Sequence, residues 1–438
     1  MAMSRTLSKR VVAAALLSAA LAQTGGKQVI EVLHQVTVEE PAPVNFHPVP
    51  IRRDGSASIP PPIARPQPDY PMAFGAPEQN SRLPGTLPSG AWFIRWQADL
   101  NSSLPPNHVV QAADRVLTEG GGLWQLFNVS GSPVAQGRYN ASHVVLDAAH
   151  SLFYFIDKDN FLTALHLNDA KKLFMTSPSF GDNFVRPLIA RRDNRFVLAG
   201  VEMEGTPHRP NPANLSVIEY DDLAPELKID ETGLLFSLIA TGKLLVKTNK
   251  LSAAMHGDSV VFAVPNCVYV STSDMRPKSA FYGDFDPVTL SLDEAGRIYL
   301  VVARHGQRSL IILSPDGAEI GEYSFKPDME ELIAPPIVAY DHHVFLVSAS
   351  RAVALDPAGK QVWETAISAR ASGAAVTADG HLLVSAGPEV SAFDGQGHRS
   401  TVHVFPGESL TSPPIITAKQ DLLVTSRSHL YCLRATAR

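Results

Sequence analysis

The chain has 438 residues, a formal net charge of −6 and 18% charged residues, without a basic stripe or a run of like charge, which sets aside nucleic-acid binding. Apolar residues make up 45% of it, ample for a core, and a repeat architecture lets one domain exceed the usual domain length. Its two cysteines, Cys267 and Cys432, form no Cys-x-x-Cys, which sets aside a dithiol redox motif, a cysteine zinc site and a disulfide-rich scaffold.

In chain order, residues 1–22 read as a secretory signal: Arg5, Lys9 and Arg10, then the apolar Val11–Leu21, then the small-x-small site Ala20-Leu21-Ala22. That run is too short to span a bilayer comfortably, and no other stretch is long and apolar enough. The expected location is periplasmic or extracellular, and the protein is not expected to be integral to a membrane. Residues 23–91 are expected to form a Pro-rich, poorly ordered segment. Pro41–Gly90 holds 13 of the chain's 34 prolines, including Pro60-Pro61-Pro62, and reads as an extended linker or as a strap along the folded domain.

The folded domain is predicted over residues 92–438. It opens with the strand-like Trp92–Leu100, WFIRWQADL, which has no turn-and-strand copy of its own. From there a pattern recurs in which a polar turn is followed two residues later by a large apolar residue. The second turn residue falls at Asp114, His150, Asn194, Asp258, Gly296, His342, Gly380 and Gln420, and the following apolar residue at Val116, Leu152, Phe196, Val260, Ile298, Val344, Leu382 and Leu422. The spacings of 36, 44, 64, 38, 46, 38 and 40 residues are those of β-propeller blades. Eight starts predict an all-β propeller of about eight four-stranded blades. Seven is the alternative, because the 64-residue interval is irregular. The last copy stops at Leu433 after three strands, so Trp92–Leu100 is expected to supply its fourth and close the ring, covering an edge that would otherwise pair with other chains. Cys267 and Cys432 then fall in opposite blades, too far apart to bond.

The last three copies, over Pro336–Leu433, are the clearest. Ala354, Asp356, Gly359 and Trp363 form Ala-x-Asp-x-x-Gly-x-x-x-Trp; Ala392, Asp394 and Gly397 repeat it, with Thr401 in the tryptophan place. Asp and Gly suit the turn between third and fourth strands, and the Trp suits packing between blades. Gly317 and Gly131 keep only the glycine. These residues resemble the quinoprotein-type (PQQ-like) propeller repeat. Ser291–Ile320 is also similar to an NHL or gluconolactonase-type repeat, so two subfamilies stay open. The first resemblance implies one of two branches. One comprises dehydrogenases holding pyrroloquinoline quinone and calcium in the channel, which share a vicinal Cys-Cys pair that this chain lacks. The other is the non-catalytic, BamB-like branch, whose propellers are docking surfaces.

Candidate sites are few. Asp157-Lys158-Asp159-Asn160 has calcium-type oxygen spacing but lacks the downstream Gly and Glu, and Tyr340-Asp341-His342-His343 lacks a third ligand; both read as turns. His150, His305, His381, His398 and His403 are spread over different blades. There is no Gly-x-Ser-x-Gly, His-Glu-x-x-His or phosphate loop, and Gly120-Gly121-Gly122 reads as a hairpin. The long fourth interval contains a polar loop, Met203–Asn214, with Met203, Glu204, His208, Arg209 and Asn211 as an interaction surface. The expectation is a non-catalytic platform for envelope or secreted proteins or a surface polymer, with no catalytic, cofactor or metal residues assigned. The alternative is an enzyme with a channel site, quinone-dependent with calcium or a lactonase-type metal hydrolase.

Overall fold

The computed structural model describes residues 49–51, 81–100, 106–112, 114–139, 144–147, 151–156, 162–176, 184–192, 195–206, 209–221, 237–245, 252–256, 259–272, 277–329 and 331–436, with the backbone alone for 147, 156, 162, 173–245 and 277. Every regular element among them is a strand. The strands form eight antiparallel four-stranded sheets, one of which carries an added fifth strand.

Blade 1 comprises His108–Ala112, Arg115–Gly120, Leu123–Asn128 and Pro133–Arg138; blade 2 comprises Val145–Asp147, Leu152–Ile156, Leu162–His166 and Lys172–Thr176. Blade 3 comprises Phe184–Arg192, Arg195–Thr206, Arg209–Asp221 and Ser237–Leu245; blade 4 comprises Ser252–His256, Ser259–Val264, Cys267–Thr272 and Pro277–Tyr282. Blade 5 follows with Asp286–Leu292, Ile298–Arg304, Gln307–Leu313 and Glu319–Ser324, and blade 6 with Ile337–Val338, Val344–Val347, Arg351–Leu355 and Gln361–Ala366. Blade 7 is Ala371–Val376, Leu382–Ala386, Glu389–Phe393 and Arg399–Val404. Blade 8 is Ile415–Ile416, Asp421–Thr425 and His429–Ala435, and its fourth strand is Trp92–Asp99, antiparallel to His429–Ala435 with Trp96 opposite Cys432. First strands neighbour one another from blade 1 to blade 7, and Asp421–Thr425 of blade 8 meets the first strand of blade 1.

The middle strands are buried on both faces, because each blade is packed between two others. Val344–Val347, Leu382–Ala386 and Asp421–Thr425 are buried throughout, which is why their sequences run continuously apolar rather than alternating. Fourth strands face solvent: Gln361–Ala366 buries Trp363 alone. Apolar clusters accordingly bridge neighbouring blades, as where Phe281 of blade 4 packs with Leu290 and Ile298 of blade 5.

One turn geometry recurs where the third strand turns into the fourth and where the first turns into the second. Asp356 Oδ1 accepts the N–H groups of Ala358 and Lys360 at 2.9 and 2.8 Å, and the Gly359 N–H bonds the Asp356 carbonyl at 2.9 Å. Gly359 sits at φ 82°, the left-handed position that a type I turn with a bulge requires. Asp394 and Gly397 repeat this, and Asn128 and Ser314 supply the accepting oxygen in the copies that lack Asp. Between first and second strands the left-handed residue is Gly296, His342, Gly380 or Gln420.

The two cysteines lie in blades 4 and 8, buried and free. Two features differ from the sequence reading. Ser81–Gly85, ahead of the expected start of the folded domain at Trp92, are buried in the fold rather than part of a poorly ordered linker. Met203–Asn214 is not a polar loop: Met203, Glu204, Arg209 and Asn211 continue the two central strands of blade 3, with Glu204 opposite Asn211 and Thr206 opposite Arg209. His208 lies outside the described residues, as do residues 1–22, His150 and Asp157–Asn160.

Candidate functional site

The blades present two faces. One carries the turns between first and second strands; the other carries the turns between second and third strands and the connections from blade to blade. At the first face, Ser81–Leu87 runs along the channel mouth at the first-strand ends of blades 6, 7 and 8. The Leu83 N–H donates to the Val376 carbonyl at 2.8 Å, the Val376 N–H to the Ser81 carbonyl at 3.0 Å, the Gly85 N–H to the Ile416 carbonyl at 3.3 Å, and the Ala378 N–H to the Gly85 carbonyl at 2.9 Å. Arg82 pairs in parallel with Val376.

This strap carries a guanidinium into a polar cluster. Arg82, 6% exposed, donates from Nε to the Val338 carbonyl at 2.5 Å and from Nη2 to the Ala339 carbonyl at 2.9 Å, and its Nη1 pairs with Glu294 Oε1. Its guanidinium carbon lies 4.9 Å from the Tyr340 ring centre, a cation–π distance. Beside Glu294, the fully buried Asp293 accepts Arg297 Nε at 2.7 Å and the Tyr299 hydroxyl at 3.0 Å on Oδ2, with His342 Nδ1 at 3.3 Å. Its Oδ1 accepts the N–H groups of Ala295 and Arg297, making the blade 5 turn. Burial alone would raise the Asp293 carboxyl, but His342 and the Arg297 guanidinium outweigh it and hold it well below the usual carboxylate range. Burial, reinforced by Asp293, pushes the Tyr299 phenol well above its ordinary value.

Of the expected tetrad, Tyr340 and His342 enter this cluster, while Asp341 and His343 pair with each other at 3.0 Å on its rim. The remaining histidines are not all in different blades, since His381, His398 and His403 share blade 7, but they do not converge: His305 faces Asp284, His381 faces Asp379, His398 faces Asp394, and His403 packs edge-on against Phe405. Among the described residues no three His, Cys, Asp or Glu side chains form a group that could hold a metal ion. Arg82, Asp293, Glu294 and Arg297 were not marked by the sequence pattern. Ser291–Gly296 does carry Asp-x-x-Gly at a blade turn, the one local signal that was available.

The repeat residues hold blades together. Ala354 lies opposite Trp363 within blade 6, and Trp363 packs between Phe345 and Phe393 at ring separations of 5.9 and 6.0 Å. A Cβ on Gly397 of blade 7 would stand 2.8 Å from the Trp363 ring. Ala392, the counterpart of Ala354, is likewise buried.

On the second face, a groove of about 490 Å³ lies between blades 6 and 7, lined by Glu331, Ile333, Ser350, Ile367 and Arg370 among others. There the central hairpin of blade 3 runs on for four residue pairs, from Met203–Pro212 to Thr206–Arg209, beyond Phe184 and Leu245 where its flanking strands end.

No protein-family model matches the chain, and no curated protein matches its sequence. Solved structures do match. Quinohemoprotein alcohol dehydrogenase ADHIIG from Pseudomonas putida HK5 aligns with a TM-score of 0.59 at 10% identity, over 85% of this chain and 81% of that one. BamB from Moraxella catarrhalis aligns at 0.51 and 11%, over 80% and 99%. The chain carries the PQQ-like repeat β-propeller fold. Sqt1 of Saccharomyces cerevisiae shares the propeller at 0.54 and 12% identity, over 78% and 98%. No helix among the described residues is long and apolar enough to cross a membrane.

The quinoprotein-type resemblance of the repeat would imply pyrroloquinoline quinone and calcium. At the channel mouth the residues do not fit that pair. Calcium takes carboxylate and carbonyl oxygens, and here the Glu294 carboxylate and the Val338 and Ala339 carbonyls hold Arg82 while Asp293 holds Arg297.

Proposed function

We propose that this propeller is an exported, non-catalytic platform for other proteins, and that its second face is the working surface. The asymmetry of the ring carries this reading: the chain's own strap is seated on the first face over blades 6, 7 and 8, while the second face offers the groove between blades 6 and 7 and the lengthened hairpin of blade 3. Recognition commonly sits on loops and extensions held by a rigid scaffold. The fold shared with BamB supports a docking role, and the leader at residues 1–22 supports action in the periplasm or outside the cell.

The reading is tested with a photo-crosslinking residue placed at Glu204, compared with one at exposed Thr86 on the opposite face. In cells making the full chain, Glu204 is expected to give a discrete protein adduct that a hairpin shortened between Met203 and Pro212 loses. Equal, diffuse labelling from both positions would overturn it.

A further inference from the structure

Ser81–Gly85 occupies the channel mouth as a bound peptide would, and three of its positions meet receptors of their own. Arg82 is enclosed by one carboxylate, two backbone carbonyls and the face of Tyr340. Leu83 is 0% exposed, and its carbonyl accepts from the Tyr340 hydroxyl at 3.4 Å. At Gly85 a Cβ would lie 2.4 Å from the Thr417 carbonyl oxygen and 2.5 Å from Ile416 Cγ2, so no other residue fits without displacement. The backbone is read as an added strand is read, by main-chain bonds with pockets for alternate side chains.

We propose that the mouth is a recognition groove for an extended Arg-Leu-x-Gly segment of a partner protein, and that Ser81–Gly85 holds it in cis. This rests on the platform reading and adds a second, sequence-specific surface to it. A short tether gives the cis segment an effective concentration on the order of millimolar, so a partner enters when the strap is loosened.

The probe is a labelled peptide of sequence Ser-Arg-Leu-Pro-Gly-Thr-Leu, followed by fluorescence anisotropy against the full chain. Gly85→Val drives the strap against Thr417 and is expected to bind the peptide at least tenfold more tightly than the unmodified chain. Replacing the peptide's Arg by Ala, or adding Glu294→Gln to the protein, is expected to reverse that gain. A folded Gly85→Val chain that binds neither peptide, or both alike, overturns the proposal. Should Gly85→Val not fold, full-length Arg82→Ala takes its place; if neither folds, the strap is a fixed part of the core and the proposal falls. Each failure leaves the Glu204 crosslinking outcome untouched, so the platform reading stands or falls separately.

Discussion

At Asp293 a buried carboxylate is held by Arg297, Tyr299 and His342. Removing one member of such a set strands the others, at a cost of about 3–5 kcal/mol. Asp293→Ala should therefore lose about that much in urea unfolding. The carboxyl is more acidic folded than unfolded, so its stabilisation is complete above about pH 4 and declines as pH falls below that toward the folded value. Asp293→Asn should flatten the acid limb of the stability curve; an unchanged limb would assign acid lability to other carboxylates. The cysteines make a second test. Burial, with the Asp421 charge adding to it, pushes the Cys432 thiol up to about 12, and burial raises Cys267 as well. Neither should react with iodoacetamide at pH 8 in the native protein, and both should react in urea. The local sequence shows that Asp293 opens a blade turn but not that it gathers His342 from the next blade. That pairing depends on the ring, which no local pattern encodes.

Among elements, the strand Trp92–Asp99 explains how a degenerate repeat still closes. The repeat tryptophan is absent from most copies, yet Trp96 meets Gly131 of blade 1 much as Trp363 meets Gly397, with a built Cβ on Gly131 2.5 Å from the Trp96 ring, and its indole N–H donates to the Val129 carbonyl at 2.9 Å. Phe281 takes that place against Gly317. The third-to-fourth-strand turns were legible because Asp, Gly and Trp are named by position. The Trp96 contact was not, since its partner lies in a different copy and its own strand precedes the first turn. Trp363→Ala should cost about 3–5 kcal/mol. Trp96→Ala should cost less, its side chain being only half-buried. Deleting Trp92–Asp99 should abolish cooperative unfolding altogether, because it bares the edge of His429–Ala435. A cooperative melt after that deletion would show that blade 8 stands on three strands.

For the molecule as a whole, the fold is shared with enzymes and with BamB, so the ring by itself does not choose between them. The channel mouth does bear on the choice. Its carboxylates neutralise guanidinium groups, and the chain's own strap is seated there. Calcium with pyrroloquinoline quinone should therefore leave the thermal midpoint of the full chain unmoved. A ligand present at about a hundred times its dissociation constant adds about 2.7 kcal/mol to the native state, which in a domain of this size is a rise of several degrees. Such a rise would place a cofactor within the ring. Repeating the melt with Arg82→Ala separates the two remaining cases. A rise confined to that variant would mean the strap keeps a latent cofactor site shut, whereas none in either chain is the outcome expected of a mouth whose carboxylates are already taken by guanidinium groups.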